Sequence, residues 1–598
     1  MHGIPVLLFL FAWPLDYPLL VVEDARDDPP PLLAALDGPH ARQAIRALGR
    51  FQRPELAPSL LPFLTADDSD LRIEAATALA QMGASAPLAP ILERERDARV
   101  RAVLYESIGR LPEAREDILL PGLREEEATR FGAMKGLEIY YRVRQAKPTE
   151  SALAAIRRAV RASTTAGVRE LGLLALNRAS DRDRETLESA FADPDPLVRR
   201  LAVADLKEWR DDPSPLVRYE GLRADGGCAR AEASLSDPSE HVVLLATDLL
   251  GNGCAPAPLL RILEENRGWR RPSRALVSLA RVSPERARRE LPRFVTHPVW
   301  QARMYAARAA KILGDTDSLA RLRSDGQPNV VAEALVTPED ALAALASDHY
   351  GLLMTALELL KGWKSPSAAP ALLETLSRIS GRKERTSRDP RRLLLERLRE
   401  LEGIDLARLR ERLGYLLSDF DPAIAALAAD ILNAEATTKR FTPDPLPEPD
   451  FLLGLAGARA TIKMKEAGSF VVELLPEAAP LTAAQFVKLA ESGYYRGLTF
   501  HRIVPNFVIQ GGSPGANEYV GTPGYIRDEV STLSHARGTL GISTRGRDTG
   551  DSQIFVNLVD NFRLDHDYTV FARVVEGISN VDAIQEGDVI EQIAIARP

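Results

Sequence analysis

A chain of 598 residues is too long for one hydrophobic core, so several domains or a repeat array are expected. With 45% hydrophobic residues, 27% charged residues and a formal charge of −8, it has the balance of soluble globular protein, and its arginines are interleaved with acids, which argues against a nucleic-acid partner. Eight scattered histidines and two cysteines offer no spacing at which three or four metal ligands would converge, so neither a metal site nor a cofactor is expected.

Residues 1–25 are read as a separate apolar N-terminal segment. From Gly3 to Trp13 the chain is apolar or neutral, too short to span a bilayer and close to the length of a signal-peptide core. No Lys or Arg precedes this stretch, and no small-x-small cleavage site follows before Asp24. Two readings stay open: a signal without its basic start, or a buried N-terminal segment. The expected localisation is periplasmic or otherwise exported, with the cytoplasm as the alternative. No other stretch is apolar and long enough to cross a membrane as a helix, so no stable membrane span is expected.

Residues 26–435 show apolar residues at spacings of three and four, helix after helix. One local pattern recurs. Phe63 to Arg72 leads into Ala75, Ala78 and Leu79; Phe191-Ala192-Asp193-Pro194-Asp195-Pro196 leads into Ala202 and Leu206; Leu235-Ser236-Asp237-Pro238 leads into Val242 and Ala246. A fourth copy, Leu417-Ser418-Asp419-Phe420-Asp421-Pro422, leads into Ile424 and Ala428. An acid before Pro is read as ending one helix and capping the next, since Pro fits the first helical turn. Inner alanines let helix pairs stack, and no pair buries its stripe alone. The pattern resembles short bacterial HEAT repeats, which implies an all-α solenoid serving as a platform for protein partners; a plain spacer is the alternative. Residues 208–230 and 380–400 are less regular and read as insertions. Cys228 and Cys254 admit either a disulfide or two small buried side chains.

Residues 436–455 are read as a linker, because the alternating prolines from Pro443 to Pro449 cannot continue a helix. The period then changes from 3.6 to 2: Ala460–Lys465 and Phe470–Leu474 read as strands around the turn Ala467-Gly468-Ser469. Thr482-Ala483-Ala484-Gln485 reads as a capping box opening a helix that stops at Gly493.

The next run carries the chemistry. Phe500-His501-Arg502, Pro505-Asn506-Phe507 and Gln510-Gly511-Gly512 are followed by His535 to Gly541, Asp551 to Val556 and Leu564 to Gly577. In order and spacing these elements resemble the cyclophilins, and the resemblance spans residues 456–598. It implies a closed antiparallel β-barrel with capping helices and peptidyl-prolyl cis-trans isomerase activity on proline-containing polypeptides. It also implies roles: Arg502 as the catalytic donor, Gln510 as its polar anchor, Phe507, Val508, Phe555 and Leu564 as the proline slot, and Tyr568 as the aromatic that closes its far side, with Ser543, Thr544 and Gln553 binding the substrate. His501 is read as a structural histidine, because rotation about an amide moves no proton. Val508 in place of a common methionine and Arg563 in place of a tryptophan imply an altered peptide preference and weak cyclosporin binding. A non-catalytic scaffold that holds proline peptides is the alternative from another functional class; a lyase built on the array finds no catalytic cluster.

Overall fold

The computed structural model describes residues 15–203, 209–265, 267–403, 406–438, 442 and 444–598, so the stretch Gly3–Trp13 lies outside the described residues. Among these residues every regular element from Tyr17–Ala25 to Pro422–Leu432 is helical, and no strand precedes Arg459. The helices stack through buried alanines such as Ala75, Ala306, Ala307 and Ala310, all inaccessible to solvent. Helices Ala98–Arg110 and Glu127–Arg144 cross at glycines: a Cβ on Gly132 would lie 2.1 Å from the Ala102 carbonyl oxygen, and one on Gly109 2.2 Å from that of Gly136.

An arginine–acid ladder runs along the array. Arg169, Arg199, Arg218 and Arg303 donate from Nε to Asp193 (2.5 Å), Asp212 (2.7 Å), Asp237 (2.8 Å) and Asp325 (2.5 Å). Each also reaches from Nη1 to the carbonyl six residues upstream. The second oxygen of each aspartate accepts a backbone N–H two residues on. Bidentate pairing of this kind ties one repeat to the turn of the next with both charge and geometry. The ladder refines the capping pattern read from sequence. Asp195 and Asp421 do cap the helices Pro196–Ala202 and Pro422–Leu432. Asp237 does not: its helix begins at Glu240 behind Ser239, and its carboxylate belongs to Arg218. The stretches read as insertions are, where described, ordinary members of the array, with helices Pro215–Asp225, Cys228–Ala233 and Arg388–Glu400.

Cys228 and Cys254 form a disulfide, which closes a separation of 26 residues between the start of one helix and the turn before Ala257–Glu265.

Eight strands follow: β1 Arg459–Met464, β2 Ser469–Leu474, β3 Thr499–Val504, β4 Val508–Ser513, β5 Thr539–Ile542, β6 Ile554–Asn557, β7 Val570–Glu576 and β8 Ile590–Ala596. They form one antiparallel sheet in the order β3-β4-β6-β5-β7-β2-β1-β8. The turn between β1 and β2 is where the alternation placed it, with Gly468 at φ +79°. The barrel is not closed as expected. Edge strands β3 and β8 share no ladder; they meet only at the isolated bridge Thr499↔Val589 and the backbone hydrogen bonds beside it, because the segment facing β3 is the loop Gly587–Val589 that leads into β8. The helix expected at Thr482 starts earlier, at Pro480, and Thr482 is not its cap: the buried carboxylate of Glu529 accepts from the Leu481 and Thr482 N–H groups and the Thr482 hydroxyl.

Array and sheet are packed together along their length. Leu20 of the helix Tyr17–Ala25 is buried with the sheet core, as are Leu452 and Leu455 from the end of the proline-rich stretch, while Phe562 joins the array core. Polar contacts cross at every stage: Arg50 to the Val530 carbonyl (2.9 Å), Arg270 to Asp588 (2.6 Å), Asn329 to the Gly515 carbonyl (2.8 Å). The array therefore wraps the sheet instead of trailing from it.

Because the disulfide restrains a long loop in the middle of the array, replacing Cys228 and Cys254 with Ser is expected to cost about 2–4 kcal/mol of local stability. Hydrogen exchange should speed up in helices Pro215–Asp225 and Glu240–Leu249 and stay unchanged in the sheet; equal protection with and without the bond would contradict this.

Candidate active site

The register of four adjacent strands assembles one row of side chains. Arg502 on β3 is opposite Gln510 on β4, Gln510 is opposite Phe555 on β6, and Phe555 is opposite Gly541 on β5. Directly paired residues project from the same face of an antiparallel sheet, so three of the side chains expected at the site stand side by side. Arg502 reaches this face through a bulge. Phe500 pairs with Gly511, yet Arg502 pairs with Gln510, so His501 is an extra residue in β3. Without it Arg502 would follow Phe500, whose ring is fully buried in the core. Gly541 completes the row by its lack of a side chain: a Cβ there would lie 2.3 Å from the Phe555 ring.

These groups line a cleft of about 310 Å³ with Phe507, Val508, Ser543, Thr544, Leu564 and Tyr568. Val508, Phe555 and Leu564 form a small apolar cluster against which Phe507 and Tyr568 pack, and Tyr568 meets Phe555 edge to face at 6.0 Å between ring centres. Arg502 stands at the lip. Its Nη1 donates to Gln510 Oε1 at 3.4 Å, and its Nε is 3.3 Å from the Glu518 carboxylate. Gln510 is steadied in turn by donating to Gln553 Oε1 at 3.1 Å, and Gln553 donates to the carbonyls of Glu518 and Val520. Nine of the ten residues expected at the site therefore line one cleft, and the tenth, Gln553, stands behind it as the support of Gln510. Arg563 stacks over the Phe507 ring at 4.2 Å. His501 is kept neutral, burial pushing its pKa down to about 4. Such an arrangement can seat a small apolar ring while a fixed cation faces the atoms beside it.

Sequence reasoning missed the groups that hold the cleft from outside. Asp565, between Leu564 and Tyr568, accepts from Lys135 of the array at 2.6 Å, and Lys135 also binds Glu106 at 2.8 Å. His535 stacks on Phe555 and pairs with the same Asp565 at 3.1 Å; His566 meets Glu106. The nearby Lys135 ammonium, acting against burial, holds the Asp565 carboxyl well below the usual range and Glu106 down to about 2. On the opposite wall Arg545 is fixed by Asp389 of the array at 2.8 Å. The β3–β4 turn is tied down by Asn506, which donates to the Leu216 carbonyl at 3.0 Å. No local pattern announces these partners, because Lys135 and Ser534, which it also binds, are 399 residues apart.

Comparison with known proteins bears on both parts. A family model for cyclophilin type peptidyl-prolyl cis-trans isomerase/CLD matches residues 459–597, and one for HEAT repeats matches residues 29–109. A peptidyl-prolyl cis-trans isomerase of Helicobacter pylori is 42% identical over 144 residues, covering 23% of this chain and 87% of that one. Peptidyl-prolyl cis-trans isomerase B of Bacillus subtilis is 38% identical over 135 residues, covering 22% and 94%. One from Schizosaccharomyces pombe is 43% identical over 117 residues, covering 19% and 76%.

Replacing Lys135 with Met would leave two carboxylates buried without their cation, a loss of about 3–5 kcal/mol at that joint. The expected readout is a lower unfolding midpoint together with a several-fold higher KM for a proline peptide and a smaller change in kcat, since Leu564 and Tyr568 lose their support. A variant with unaltered midpoint and KM would show that the joint does not bear on the cleft.

Proposed function

Since the chain belongs, through its C-terminal domain, to the cyclophilin-type peptidyl-prolyl cis-trans isomerases, we propose that Arg502 is the group that lowers the rotation barrier and that the apolar cleft beside it seats the substrate proline. An X–Pro amide resists rotation by roughly 20 kcal/mol because the nitrogen lone pair is delocalised into the carbonyl. Halfway through the turn the nitrogen is pyramidal and has regained that pair. A donor aimed there acts only on the twisted state, which is what accelerates a reaction. Arginine suits the role, being permanently charged with its donors in a rigid fork.

The observation that carries this reading is the row Arg502–Gln510–Phe555 across three paired strands at the lip of the cleft. Gln510 and Glu518 hold the guanidinium from two sides, so little ordering remains when substrate arrives. Phe507, Val508, Phe555, Leu564 and Tyr568 grip the ring, and Ser543 and Thr544 offer hydroxyls to the substrate backbone. The HEAT repeats make protein partners the natural ligands of the array, and clients of the isomerase are the class this reading favours. We extend it to localisation: a disulfide persists in an oxidising compartment, which supports export. Fractionation that finds the chain in the cytosol with both thiols free would reject that part.

A protease-coupled assay on an Ala-Pro tetrapeptide tests the mechanism. Arg502→Ala is expected to lower kcat/KM by about 10²–10³, the usual loss of a transition-state donor, with the unfolding midpoint unchanged. Turnover equal to that of the wild-type chain would remove Arg502 from the role, and a folded wild-type chain that binds peptide without turnover would support the scaffold reading. The rate should also be flat from about pH 6 to pH 8, because arginine does not titrate there and His501, with its pKa near 4, is already neutral. An inflection near the ordinary histidine value that persists when His535, which stacks on Phe555, is replaced would overturn the proton-free mechanism.

A further inference from the structure

Between the array and the sheet, next to the cleft, lies a second cavity of about 400 Å³. Arg502 and Glu518 line both spaces, so the two are separated by little more than this ion pair. The seams on either side of the cavity are close. A Cβ on Gly351 would lie 2.6 Å from the Asn517 amide nitrogen, and one on Gly587 2.8 Å from that of Gln301. Tyr305 donates to Glu586 at 2.8 Å on one side, and Asn329 to the Gly515 carbonyl at 2.8 Å on the other. The void is therefore bounded by well-fitted contacts and is not a product of loose packing along the joint.

We propose that this cavity is a substrate subsite, formed jointly by array and sheet, which takes the stretch of client polypeptide adjoining the proline held in the cleft. The proposal rests on the assignment of Arg502 above. Three observations select a peptide as the occupant. The first is continuity, since a chain leaving the proline cleft past Arg502 enters this space. The second is charge: Arg308, Lys311 and Arg502 are balanced by Glu333, Glu518 and Glu586, three against three, whereas a nucleotide or other polyanion calls for a cationic lining. The third is the mixed wall, in which Trp300, Met304 and Tyr519 supply apolar surface among these charges, the composition that suits varied side chains on an amide backbone. The array then acts on the substrate itself as well as on the shape of the cleft.

The test compares kcat/KM of the full chain on the Ala-Pro tetrapeptide with that on two longer peptides, extended by about four residues before or after the same core. Binding energy gathered away from the reacting bond can be used at it, so one of the two extensions is expected to raise kcat/KM at least about tenfold. Ala332→Trp and Thr355→Trp both fill the cavity from the array side. Thr355 is exposed, which makes that variant the safer one to fold, and circular dichroism checks both. Each is expected to bring the ratio of extended to short peptide down toward one. A tetrapeptide that is turned over with no gain from either extension would overturn the subsite alone, as would a gain that survives both substitutions. Loss of turnover on all three peptides in the wild-type chain would overturn the Arg502 assignment and the subsite with it.

Discussion

The bulge at His501 turns the side chain after it out of the core, and the site depends on that turn. Strand pairing makes side chains alternate, so a regular β3 would send Arg502 inward beside Phe500. With one residue inserted, the guanidinium emerges in the row that carries Gln510 and Phe555. The remaining features follow from keeping that row intact. Gly541 leaves room for the Phe555 ring, Gln553 holds the Gln510 amide, and His535 backs Phe555 from the interior.

The array contributes in a way its repeat character does not suggest. Each loop at the cleft rim has a partner on it: Asp565 on Lys135, Arg545 on Asp389, Asn506 on the Leu216 carbonyl, Asn517 on His349. The relatives from Helicobacter pylori and Bacillus subtilis align over 144 and 135 residues, 87% and 94% of their own length, which leaves no room in them for an array of this size. A buried lysine between two carboxylates suits such a joint. It is strong only when complete, and it constrains geometry more than it adds net stability.

The array is also more regular than its repeats look. The HEAT model matches residues 29–109, yet the arginine–aspartate ladder continues through Arg303 and Asp325. Helix periodicity was readable throughout because apolar spacing is a local property. The ladder was not, since each rung joins residues 13 to 24 positions apart, and an Asp before Pro serves equally as cap or as ladder acid. The same ambiguity affected Thr482: its sequence has the form of a capping box, but Glu529 arrives from another part of the fold and takes the amides.

What the sequence by itself determined is what short-range order encodes: the helical array, the change to strands after the prolines, and the ordered motif that identifies the isomerase domain and nine residues of its cleft. Those follow from periodicity and from chemistry carried within a few neighbouring residues. Only the tertiary structure decided that the sheet stays open at its edge, that Gln553 stands behind the cleft and not in it, that Cys228 and Cys254 are bonded, and that the array grips the rim through Lys135 and Asp389. Each of these is set by which distant segments meet, and a meeting of surfaces leaves no periodic trace in either partner.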